Sequence, residues 1–101
     1  MSEAKDLLAV TTPLYRRATN AVAADLGEGK LALMGLAKGR YYALNPVGRV
    51  IWDCLETPRS REEIRQHVLA QFTVDAATCE RDMEKFLTDL LQEGLAEAIP
   101  P

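Results

Sequence analysis

The sequence predicts an α+β fold of the winged helix-turn-helix type: a three-stranded antiparallel meander followed by three helices. Two turns, Gly27-Glu28-Gly29-Lys30 and Lys38-Gly39, divide the stretch from Thr19 to Leu44 into three short apolar runs. At Asn45-Pro46 the hydrophobic period changes from that of a strand to that of a helix. Beyond it lie three capped amphipathic segments, the last two joined by a connector too short for anything but a turn.

The elements follow in order. Met1 to Arg17 reads as an arm (1–17) ahead of the folded domain (18–101); Leu7, Leu8 and Val10 are its apolar residues, and Thr11-Thr12-Pro13 interrupts any helix there. Thr19 to Leu26 is the first strand, with Val22, Ala24 and Leu26 on one side. Leu31 to Ala37 is apolar on both faces, as expected of a central strand. Arg40 to Leu44 is the third strand, so the outer two strands are edges. Asn45 is a helix cap and Pro46 a first helical residue. Val47, Val50, Ile51, Cys54 and Leu55 then form one stripe up to the Thr57-Pro58 stop, with Trp52 off it as a peripheral core residue. Ser60 with Glu63 forms a capping box for the second helix, which buries Ile64, Val68 and Phe72. Asp75 caps the third, whose stripe is Cys79, Met83, Phe86, Leu87, Leu90 and Leu91; Gly94 ends it, and Leu95 to Ile99 forms a last strand.

Composition removes several function classes. A chain of 101 residues holds one small core. With 48% hydrophobic and 27% charged residues it is not intrinsically disordered. The net charge of −3 and isoelectric point near 5.1 argue against a basic nucleic-acid surface or a polybasic membrane anchor. No apolar run approaches the roughly 18 residues of a membrane span, and the N-terminus does not read as a secretory signal. A cytoplasmic location is expected, with Cys54 and Cys79 as buried free thiols.

No catalytic constellation stands out. His67 is the sole histidine and sits on the second helix. The two cysteines are far apart, which disfavours a metal site, and no cofactor is expected. Gly27-Glu28-Gly29 lacks the length and lysine of a phosphate loop. Glu62-Glu63 is explained by capping and solvent. An enzyme is not expected. A winged-helix DNA binder is the rival outside enzymology, but the presumed recognition helix carries Glu80, Asp82, Glu84, Asp89 and Glu93 against Arg81 and Lys85, which would repel phosphates.

Tyr41-Tyr42-Ala43-Leu44-Asn45-Pro46-Val47-Gly48, followed by Ile51-Trp52, resembles the signature of small PqqD-like proteins. So do Arg59-Ser60 with Glu62-Glu63-Ile64, and Asp75, Cys79-Glu80, Asp82, Phe86-Leu87, Leu90 and Glu93-Gly94-Leu95, over about Ala18 to Ala98. That family comprises pyrroloquinoline-quinone biosynthesis chaperones and the recognition elements for ribosomally made precursor peptides. The form here is most similar to the stand-alone leader-binding proteins of lasso-peptide pathways. The resemblance implies a non-catalytic adaptor that binds a precursor leader peptide and presents it to a leader peptidase, a cyclase or another modifying enzyme. The alternative within the family is a quinone-cofactor chaperone serving a radical enzyme.

The physics of such a task is legible in the residues. An unpaired strand edge accepts an extended peptide through its backbone, and Arg40 to Leu44, free of proline, is the natural edge. Family precedent puts the groove between this strand and the third helix. Its expected peptide-binding residues are Arg40, Tyr41, Tyr42, Ala43, Leu44, Asp82, Met83, Lys85, Phe86 and Asp89. Adjacent tyrosines must point to opposite faces, and which one faces the groove is left open here. Met83 and Phe86 also serve the burial stripe of their own helix, and Asp82, Lys85 and Asp89 also read as a solvated face. An open edge further predicts a weak homodimer when no leader is bound.

Overall fold

The computed structural model describes residues 13–36 and 38–100. Their order is β1 (Leu14–Arg17), β2 (Ala21–Gly27), β3 (Lys30–Gly35), β4 (Arg40–Leu44), α1 (Pro46–Cys54), α2 (Arg61–Gln71), α3 (Ala76–Gln92) and β5 (Ala96–Ile99). The meander followed by three helices is therefore present. The end of the expected arm differs: Leu14–Arg17 is a strand, paired antiparallel with β5 from Leu14 opposite Ile99 to Arg17 opposite Ala96. Tyr15 exchanges backbone bonds with Arg59, at 2.7 and 2.9 Å, and is buried. The α1–α2 turn is thereby tied to the strand pair. Leu7, Leu8, Val10 and Ala37 lie outside the described residues.

The meander has the order β2-β3-β4, with β3 central. The β2–β3 turn holds Gly27, Glu28 and Gly29 at φ of 83°, 56° and 78°, a left-handed run that glycine makes accessible. Asp25 Oδ1 accepts from the Gly27 N–H at 2.7 Å, where the register slips by one residue.

Pairing assigns each residue to a face, since residues directly opposite share one. Leu31, Leu33 and Gly35 face inward and are buried. Their partners on β4 are Leu44, Tyr42 and Arg40. The outer face carries Val22 and Ala24 on β2, Ala32 and Met34 on β3, and Tyr41 and Ala43 on β4.

The helices begin where their caps predict. Asn45 Oδ1 accepts from the Gly48 N–H at 2.8 Å, and Pro46 follows it. Ser60 and Glu63 bond reciprocally at the start of α2. Asp75 Oδ1 accepts from the Thr78 N–H at 2.7 Å to open α3. Gly94, at φ 72°, ends α3 and turns the chain into β5.

One core joins these layers: Leu33 from β3, Ile51 and Leu55 at and after α1, Ile64 and Val68 from α2, Met83, Leu87 and Leu90 from α3. Trp52 is more central than its position off the α1 stripe predicts. It is 3% exposed, with the Arg17 guanidinium 4.9 Å from its ring centroid and Arg17 Nε 2.9 Å from its carbonyl oxygen. Strand β1 supplies the cover that the helical pattern of α1 alone does not reveal. Cys54 and Cys79 are buried free thiols, as expected.

Leu33 is fully buried in the central strand, so Leu33→Ala should lower unfolding free energy by about 2–5 kcal/mol. Ser60→Ala removes one cap and should lower it by about 1 kcal/mol. Urea titration followed by far-UV circular dichroism checks both; equal midpoint shifts would contradict this ranking.

Candidate functional site

The hydrogen-bond parity of the sheet determines what its edges offer. Leu36 N–H donates to Asn20 O at 2.9 Å, which makes that opposed couple a hydrogen-bonded one. Bonded and unbonded couples alternate along an antiparallel ladder. Ala32 and Met34 therefore bond towards β2, while Leu31, Leu33 and Gly35 bond towards β4. On β4 the backbones of Arg40, Tyr42 and Leu44 are spent on β3. The N–H and C=O groups of Tyr41 and Ala43 point to the open side, where no described strand pairs with them.

Beneath that open edge lie two clefts. The smaller, about 160 Å³, is lined by Tyr42, Ala43, Leu44, Phe86, Asp89, Leu90 and Leu95. The larger, about 400 Å³, continues past the end of β4 between α1 and α3, among Val47, Ile51, Val68, Cys79, Met83 and Phe86. Phe86 and Asp89 line both, so the two form one groove along α3. The larger cleft also meets Asn45, Gly48, Val74 and Thr78. Gly48 is where α1 and α3 approach: a Cβ there would meet Asn45 Oδ1, Leu44 Cβ and Phe86 Cε1, each at 3.4 Å. The absent side chain lets the Phe86 ring sit against the start of α1.

Of the ten residues expected from the sequence, eight line this groove and two do not. Tyr42, Ala43 and Leu44 border the smaller cleft; Asp82, Met83 and Lys85 border the larger; Phe86 and Asp89 border both. Met83 is a buried floor residue, while Asp82, Lys85 and Asp89 are rim residues, with Lys85 Nζ 3.9 Å from Asp89 Oδ2. The register settles the tyrosine question: Tyr42 faces inward, whereas Tyr41 stands on the outer face, 74% exposed. Arg40 sits on neither cleft and pairs with Glu93 at 3.4 Å. The contributions of Val47, Val74 and Thr78 were not legible, because a helix stripe does not show where it leaves space.

Electrostatics concentrate at the Arg40 end. Glu93 Oε2 takes Arg40, while its Oε1 is buried without a partner in bonding geometry. The nearby Tyr42 hydroxyl, then the Arg40 and Lys38 cations, hold the Glu93 carboxyl below its ordinary value. Burial, then the neighbouring Glu93, pushes the Tyr42 phenol up. Burial likewise raises both thiols, Cys54 and Cys79, which keeps them protonated and poorly nucleophilic. Among the described residues no group of three or more His, Cys, Asp or Glu side chains is placed to hold a metal ion. No described helix is long and apolar enough to cross a membrane.

An open strand edge lying over an apolar groove has the form that can accept an extended peptide as an added strand, here on a winged-helix body. Residues 30–96 match the family described as coenzyme PQQ synthesis protein D (PqqD). The chain belongs to the PqqD family. A solved structure described as TbiB1 in complex with the TbiA(beta) leader peptide is 34% identical, with a TM-score of 0.72, covering 81% of this chain and 94% of that one. A second, a lasso peptide synthetase B1 complexed with the leader peptide, shares the fold at 23% identity and a TM-score of 0.68, covering 82% and 96%. No curated protein matches by sequence.

The Glu93 carboxyl is depressed in the folded state, so its contribution to stability is complete above the ordinary glutamate value of 4.5 and is lost as pH falls through the lower folded value. Asp25, Glu62 and Asp75 are depressed in the same direction. Glu93→Gln should flatten part of the acid limb of a thermal-midpoint against pH profile while leaving three such groups in place. An unchanged limb would mean that the contacts of Glu93 with Tyr42 and Arg40 do not contribute.

Proposed function

We propose that this chain is a non-catalytic adaptor that takes the leader of a ribosomally made precursor peptide as an added strand on β4 and presents it to processing enzymes. The observation that carries the reading is the pair of outward-pointing backbones, Tyr41 and Ala43, directly above a groove that α3 closes from below. The 34% identical structure, which holds a leader peptide, supports it.

The guest runs antiparallel to β4. Its upstream part lies over the larger cleft beyond Leu44, where a bulky apolar side chain fits. Its next inward side chain meets the smaller cleft at Tyr42 and Phe86, which suits an aliphatic group. Asp82, Lys85 and Asp89 read charge along the rim. Backbone pairing supplies affinity without sequence preference, and these clefts supply selectivity.

The guest's alternate side chains project onto the other face of the sheet and extend it. That face is apolar, with Val22 48% exposed, Tyr41 74% exposed and Leu26 57% exposed beside the turn. We take it as the surface met by the modifying enzymes, a leader peptidase and a cyclase in a lasso-type pathway, so that adaptor and guest are engaged together. Work in a reducing cytoplasm suits the two free thiols. The family match alone favours a second reading, a quinone-cofactor chaperone binding its own precursor, at the same edge.

Calorimetric titration with a synthetic leader encoded beside this gene tests the reading. Ala43→Pro removes an outward N–H yet spares the bonds to β3, and Phe86→Ala empties the wall shared by both clefts. Each should weaken leader binding by at least about tenfold. Tyr41→Ala should leave leader affinity within about twofold while slowing processing by the enzymes. Full affinity in Ala43→Pro would sink the strand-addition model, and binding only of a quinone-cofactor precursor would favour the second reading.

A further inference from the structure

The opposite edge of the same sheet is open as well. Bonded and unbonded couples alternate on β2 as they do on β4. Val22 and Ala24 bond to β3, whereas Ala21, Ala23 and Asp25 aim their N–H and C=O groups away from it; the Ala21 N–H is already met within the chain by Ala18 O at 3.4 Å. No described strand pairs with this side of β2.

Two of the usual protections of an exposed edge, proline and lysine, are missing here, and the irregularity that could blunt it comes only after Asp25. The one charged residue of β2 is Asp25. That charge is already met within the chain by Arg49, at 2.9 Å. Alanine at 21, 23 and 24 keeps the edge low enough for another backbone to approach.

We propose that the β2 edge pairs with the β2 edge of a second copy, antiparallel about a two-fold axis at Ala23. In this register Ala23 exchanges both backbone bonds with Ala23 of the second copy, and the Asp25 N–H of each copy donates to the Ala21 C=O of the other; the Ala21 N–H stays with Ala18 O. The pairing stops before the irregularity between Asp25 and Gly27. Val22 lies across from Ala24 of the second copy, with the exposed Leu26 diagonal to it. A shift that centred the axis on Asp25 would set two carboxylates face to face. Five residues span only about 17 Å. The contact therefore falls well short of the roughly 1,200 Å² of a stable interface, and the dimer is weak and reversible.

The two sheets then join with both β4 edges at the far ends. Self-association and strand addition at β4 do not compete, and this inference stands whether or not the proposed function does.

Sedimentation velocity on the full chain, diluted from millimolar to micromolar, tests it without any ligand. The wild type should shift from dimer to monomer. Ala23→Lys and Ala23→Glu each place like charges across the axis and should each weaken the dimer about threefold or more. An equimolar mixture of the two should associate more tightly than either alone. Ala23→Pro, which removes an outward N–H and no bond to β3, should be monomeric with an unchanged circular dichroism spectrum. Amide exchange at Ala23 and Asp25 should slow as concentration rises. A wild type that stays monomeric throughout overturns the proposal. So does a mixture no tighter than its components, or protection of those amides that is independent of concentration, which would mean that the chain covers its own edge.

Discussion

The alternation of the β3 ladder is the constraint on which the rest of the molecule depends. β3 is the one strand of the meander with neighbours on both sides, and its inward residues Leu31, Leu33 and Gly35 are buried. Burial leaves no freedom to slip, because a shift of one residue would exchange core and solvent faces along the whole strand. From that single register follow the inward Tyr42, the outward Tyr41, and the direction of every backbone group on β2 and β4. Site geometry is here a consequence of core packing.

The helices hold what the sheet defines. β4 ends at Leu44, and Asn45 caps α1 immediately after it, so strand and helix share a rigid joint. Gly48 allows Phe86 to sit against that joint, and Phe86 in turn separates and joins the two clefts. At the opposite end, Gly35 brings β3 close to the exit of α3: a Cβ there would lie 3.1 Å from Leu95 Cδ2. The groove is thus pinned at both ends by places where a side chain has been left out.

How much of this the sequence displays depends on how local the signal is. β4 is read to the residue because Gly39 and Asn45-Pro46 punctuate it on either side. The caps at Asn45, Ser60 and Asp75 mark three helix starts for the same reason. β1 is different: its four residues, Leu-Tyr-Arg-Arg, have no period, and their partners lie at the other end of the chain. Trp52 is misjudged as peripheral on the same account, since Arg17 of β1 is what covers its ring. The residues of β4 and α3 that line the groove are named by the family pattern, but the assignment of Tyr41 and Tyr42 to faces needs the long-range pairing to be known.

The β1–β5 pairing has a consequence for how this body joins other polypeptides. Leu14 stands directly opposite Ile99, so the described chain enters and leaves at neighbouring points, about one strand spacing apart. Both points belong to a sheet separate from the meander. A unit with adjacent ends can be spliced into a longer protein, or reconnected end to end, with little distortion of its interior. Gene fusion is therefore an economical way to keep such a body beside whatever it serves.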